Sequence, residues 1–196
     1  MSPILGIYAS SQQGSRASSY ESITTVTVGA GGTSTITFSS IPSTYTHLQI
    51  RGIARSTLAG VNPDNIAFRF NSDSGSNYST HNLYATSFGS NVYAGAFTSL
   101  SYGYLPSAIP SAGSLSNDFC GFVIDILDYR NTSKNKTVRA LSGWDENAVQ
   151  SPNFYNRIQL SSSAWLSTSA ITQIDFTNSA NFAQYSSFAL YGIKGA

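Results

Sequence analysis

Alternation of apolar and polar residues with a period of two runs through most of this chain. Ile23 to Val28 (ITTVTV) and Thr33 to Phe38 (TSTITF) set Val26, Val28, Ile36 and Phe38 between threonines. Gly29-Ala-Gly-Gly32 between them supplies the positive-φ positions of a turn, so the two segments are expected to form a hairpin. His47 to Arg55 puts Leu48, Ile50, Gly52 and Ala54 on one face, and Ile66, Phe68 and Phe70 alternate with Ala67, Arg69 and Asn71. Phe119 to Tyr129 is apolar on both faces, which predicts a central strand covered on both sides. Further strands are expected at Lys136 to Trp144, Phe154 to Leu160, Ile171 to Phe176 and Tyr185 to Ile193. Between Ser74 and Asn117 the pattern predicts one or two strands, around His81 to Phe88 and Ala94 to Tyr104, with Pro106 to Gly113 as loop. About ten strands, no amphipathic helix and no internal repeat give an all-β fold: a single antiparallel β-sandwich over 23–196, expected to be a jelly roll, behind an extended N-terminal arm, 1–22.

Composition agrees and removes several functions. Ser, Thr and Asn supply 66 of 196 residues, and these side chains compete with helical backbone hydrogen bonds. Ten basic residues against nine acidic ones leave a charge of +1, too little field for a phosphate-gripping surface, so no nucleic-acid partner is expected. The longest apolar run, Phe119 to Leu127, contains Asp125 and falls far short of the roughly 20 residues of a membrane span, so no membrane insertion is expected. Met1 to Tyr8 has neither the basic region nor the long apolar core of a secretory signal. The lone Cys120, inside the most apolar segment, reads as a core residue.

Chemistry-bearing constellations are sparse. Two histidines, His47 and His81, and no G-x-S-x-G elbow give no nucleophile with its base, so no catalytic residue and no cofactor are assigned. Asp125 and Asp128 leave a strand on opposite faces, Asp125 being placed to pair with Arg139 and Asp128 to open the following turn. Asn71-Ser-Asp-Ser-Gly-Ser-Asn77 lacks the spacing of a calcium loop and reads as a strand-joining turn, so no metal site is assigned. Lys134 and Lys136 sit in a charged stretch where they would guard a sheet edge. Two features point to contacts. Ile4, Leu5, Ile7 and Tyr8 are apolar residues a solvated arm does not need. Tyr84, Tyr93, Tyr102 and Tyr104 lie in the 44 residues from Ser74 to Asn117 that hold no Asp, Glu, Lys or Arg, the composition of an interface centre or of a sugar-stacking surface.

Ser2 to Ser10, Ser40 to Arg51, Phe70 to Tyr78 and Tyr185 to Ala196 together resemble small virion structural proteins of tailed bacteriophages, of the cyanophage type. The resemblance covers most of the chain, thins between Thr80 and Asn117, and brings no catalytic residues. It implies a particle component located in the virion and assembled in the host cytoplasm. The leading expectation is a capsid decoration (cement) protein, a homotrimer by analogy with virion jelly rolls, whose partners are its own copies and phage capsid or tail proteins. The alternatives are a tail-fibre or receptor-binding module whose tyrosines stack on host surface glycan and, more distantly, a glycan-cleaving enzyme using carboxylates far apart in sequence.

Overall fold

The computed structural model describes residues 19–60, 62–86, 92–146 and 156–195. Twelve strands lie among them: β1 (Tyr20–Thr27), β2 (Thr33–Phe38), β3 (His47–Ala54), β4 (Asp64–Phe70), β5 (Tyr78–Thr86), β6 (Val92–Leu100), β7 (Gly103–Ile109), β8 (Cys120–Leu127), β9 (Lys136–Trp144), β10 (Arg157–Trp165), β11 (Ile174–Phe182) and β12 (Ser187–Ile193). All pairings are antiparallel. One sheet has the order β1-β12-β3-β8-β9-β10-β5-β6 and the other the order β2-β11-β4-β7, and the two form a β-sandwich. Successive strands β1 and β2, β3 and β4, β7 and β8, and β11 and β12 each divide between the sheets, while the hairpins β5-β6 and β9-β10 both extend the larger one.

The core is built from inward residues of both sheets. Leu48, Ile50, Phe122, Ile124, Phe188 and Leu190 of the large sheet pack with Phe38, Phe68, Phe70, Phe176 and Phe182 of the small one, and all are buried. Aromatic rings bridge the layers, as where Phe188 meets Phe176 at 5.3 Å and Phe182 at 5.1 Å between centroids.

Several expectations change here. β1 and β2 are strands but not a hairpin: β1 pairs with β12 and β2 with β11, so Gly29 to Gly32 carries the chain from one sheet to the other. Gly32 adopts φ +76° with its α-carbon so close to Phe182 that a Cβ would lie 2.7 Å from the Phe182 carbonyl oxygen. Alternation alone cannot distinguish a hairpin from such a crossing, because both need apolar residues facing one core. Pro106, expected in a loop, lies within β7, which forms the edge of the small sheet, where a missing N–H breaks no ladder bond. Lys136 is fully buried in an interior strand and guards no edge: its ammonium donates to the carbonyls of Asn131 (2.6 Å), Lys134 (2.9 Å) and Thr168 (3.0 Å). β8 is covered on one side only, with Gly121 exposed and Val123 half-buried on the other.

Candidate assembly surface

The uncovered side of β8 belongs to a wider surface. In β10 the alternation is inverted, since Arg157, Gln159, Ser161 and Ser163 point inward and are buried while Ile158 and Leu160 point outward, 60 % and 53 % exposed. Leu141 of β9 and Leu83 of β5 are 52 % and 50 % exposed beside them. The ladder aligns these residues: Arg51, Val123, Leu141, Leu160, Leu83 and Ala94 form one cross-strand row. Ile53, Gly121, Gly143, Ile158, Ala85 and Val92 form the next. Gln49, Asp125, Arg139, Ser162, His81 and Ala96 form a polar third.

The relief of this face comes from side-chain size. Gly121 and Gly143 leave a furrow of about 440 Å³ bounded by Arg51, Val123, Leu141 and Ile158. A second furrow of about 370 Å³ runs along the other flank of the Val123–Leu141 ridge, between Asp125, Arg139 and Leu160. Ile53, Leu83, Val92, Leu141, Ile158 and Leu160, each about half exposed, present on the order of 500 Å² of apolar surface, at the upper end of what a monomer carries. Covering them is worth roughly 12 kcal/mol per subunit before the cost of association.

The far flank is polar and fixed. Tyr20 stacks on Tyr191 at 4.9 Å, with the Arg51 guanidinium 5.1 Å and 5.9 Å from their ring centres. Arg51 Nε donates to Gln49 Oε1 at 2.7 Å, and Gln49 Nε2 donates to Asp125 Oδ1 at 2.7 Å. Asp125 does stand opposite Arg139 in the register, but its hydrogen-bond donor is the Gln49 amide.

Ile4, Leu5, Ile7 and Tyr8 lie outside the described residues. The four tyrosines gather at the end of the sandwich where β6 and β7 are the sheet edges. Tyr84 stacks on Tyr93 (5.2 Å, 20°) and carries the Arg157 guanidinium 3.6 Å from its ring centre. Tyr104 packs edge-on against Phe97 (5.1 Å) and Tyr102 (5.6 Å), and burial raises the Tyr104 phenol above its ordinary pKa. Tyr93, 40 % exposed, is the ring of the four most open to solvent. The tyrosines thus mainly seal an edge, and the exposed aliphatic face was not legible because β10 reads as an ordinary amphipathic strand whichever side faces in.

Behind that face lies a polar seam. Thr80 and Ser163 share a hydrogen bond at 2.8 Å, and Gln159 Nε2 donates to Ser161 Oγ at 3.0 Å. Asn82 Oδ1, Ser142 Oγ, Trp144 Nε1 and Gln159 Oε1 are buried without a partner among the described residues. Asp118 and Glu146 come within electrostatic reach: burial first, then Glu146, raises the Asp118 carboxyl, while Arg55 opposes the rise. Sequence spacing gave no sign of this pair.

Elsewhere the chemistry is structural. Asp73 accepts from Gly75 N, Asn77 Nδ2 and the Trp165 indole, and Asn71 Oδ1 from the backbone of Thr172 and Gln173, so the Asn71 to Asn77 oxygens cap a turn. Among the described residues no group of three or more His, Cys, Asp or Glu is placed to hold a metal, and no helix is long and apolar enough to cross a membrane. Cys120 is buried, its thiol pushed up to about 12 by desolvation. Asp128 opens its turn as expected, with Lys134 Nζ at 2.9 Å holding its carboxyl below the usual range. No family model, curated protein or solved structure matches the chain.

Proposed function

We propose that this chain is a non-catalytic structural protein of a tailed-bacteriophage virion, a subunit on the particle exterior that works by packing against its own copies and against capsid or tail proteins. The observation that carries the reading is the exposed aliphatic face over β8, β9, β10 and β5. A chain with so few charges has little reason to leave these side chains in water unless an assembly covers them. The strand order supports it too: β1-β12-β3-β8 beside β2-β11-β4-β7 reads as a jelly roll of two Greek keys, an architecture used in viral shells, carrying two inserted hairpins. Those hairpins, β5-β6 and β9-β10, build much of the face, so the addition to the sandwich is the part that offers contacts.

A receptor-binding role is the second reading, favoured by the open Tyr93 ring at the edge of the Tyr84–Arg157 stack. The deciding experiment is quantitative mass spectrometry of this chain against the major capsid protein in purified virions. Hundreds of copies per particle are expected for shell decoration. A few to a few dozen would move the protein to the tail, where Tyr93→Ala should abolish binding on a glycan array. None would overturn the virion reading.

A further inference from the structure

From the relief of the large sheet's outer face we infer that the chain pairs with a second copy of itself through that face, about a two-fold axis running parallel to the strands midway between β9 and β10. This rests on the assembly reading and names its first partner.

The register decides the geometry. Such an axis exchanges β9 with β10 and β8 with β5, and sets each cross-strand row against its own reverse. In the central row Leu141 then faces Leu160 of the other copy, and Val123 faces its Leu83, so apolar meets apolar along the row. In the next row Ile158 faces Gly143 of the other copy and Ala85 faces its Gly121. The Ile158 side chain therefore enters the furrow that the glycines leave, and a Cβ at Gly121 would meet nothing within 4 Å in the free chain. In the polar row Asp125 faces His81 of the other copy, which matches an acid with a base. One patch thus supplies both ridge and furrow, the requirement of an isologous contact.

Size is adequate. The axis sets six strands, β3 to β6 in the sheet order, against each other, and at about 4.8 Å spacing and about 27 Å length they give a face of roughly 800 Å², about the area per partner of a standard stable interface. Two such faces pack about 10 Å apart, and Leu141 and Leu160, which flank the axis, meet at the centre of the contact. A three-fold ring would need two different complementary patches, whereas this face complements itself. The pair therefore takes the place of the trimer suggested by analogy.

The test is a cross-link that only this geometry permits. Val123 and Leu83 face each other across the roughly 10 Å between the two sheets, whereas within one chain they lie three strands, about 14 Å, apart. The full chain carrying Val123→Cys and Leu83→Cys together should give a covalent dimer with a bismaleimide that spans about 10 Å, while either single variant stays uncross-linked and buried Cys120 remains silent. Sedimentation equilibrium of the native chain should give a dimer, and Ile158→Asp, at a site 60 % exposed, should raise the dissociation constant at least about a hundredfold with an unchanged far-ultraviolet spectrum. A native monomer, a trimer, cross-linking by either single variant, a double variant that does not cross-link, or a dimer indifferent to Ile158→Asp would each overturn the pairing. So would a dimer lost on removing residues 1 to 18 but kept by Ile158→Asp, which would assign the contact to the arm. A monomer still found in virions would remove the pairing and leave the virion reading standing; a dimer absent from virions would do the reverse.

Discussion

Hydrogen-bonding side chains in this protein fall into two kinds, satisfied and orphaned, and they predict opposite responses to mutation. Asp73 accepts three hydrogen bonds from the backbone of Gly75 and the side chains of Asn77 and Trp165, and these, led by Trp165, hold its carboxyl below the ordinary range. Asp73→Ala should cost about 2 kcal/mol, read from urea denaturation, because the Trp165 indole loses its acceptor. Ser142 Oγ is buried without a partner, so Ser142→Ala should be neutral or stabilising by up to about 1 kcal/mol; a loss above 1 kcal/mol would mean the hydroxyl is bonded after all.

Two carboxylates should shift stability with pH in opposite senses. The folded pKa of Asp73 is lowered, so its contribution is complete above the unfolded value near 3.8 and disappears as pH falls through the folded one. The folded pKa of Asp118 is raised, so the folded state holds that proton longer and stability falls as pH climbs from 3.8 through the raised value. Thermal melts of Asp118→Asn should therefore lose that decline, whereas an unchanged profile would show that Asp118 titrates alike in both states.

At the level of strands, β3, β4, β9 and β12 are legible within a few residues because each combines period-two alternation with a clear boundary, and β8 is legible as a continuous apolar run. β10 was found only in its first half. Its Ser161-Ser-Ser-Ala-Trp165 end lacks the apolar residues that mark a strand, since the face turned to the interior is itself polar. The same inversion hides the candidate surface: Ile158 and Leu160 read as the apolar side of an ordinary strand, and they do not enter the core. The tyrosine-rich stretch carries two readings. Its absence of charge suited an interface, but it also suits the closing edge of a sandwich, where Tyr102, Tyr104 and Phe97 cover one another.

Considered whole, the molecule divides its large sheet between two tasks. One half, β1, β12, β3 and β8, faces the small sheet with aliphatic and aromatic side chains and makes the core. In the other half β10, and part of β5, turn polar side chains inward, while β9, β10 and β5 offer aliphatic side chains outward, which is the arrangement of a subunit whose second core forms on assembly. Carbene footprinting across a concentration series measures this directly, since it labels solvent-exposed C–H bonds. The account predicts that Leu83, Leu141, Ile158 and Leu160 lose labelling together as the chain associates, while Tyr185, 66 % exposed and outside the large sheet, keeps its own. Aliphatic residues that stay equally labelled at every concentration, and in assembled particles, would contradict it.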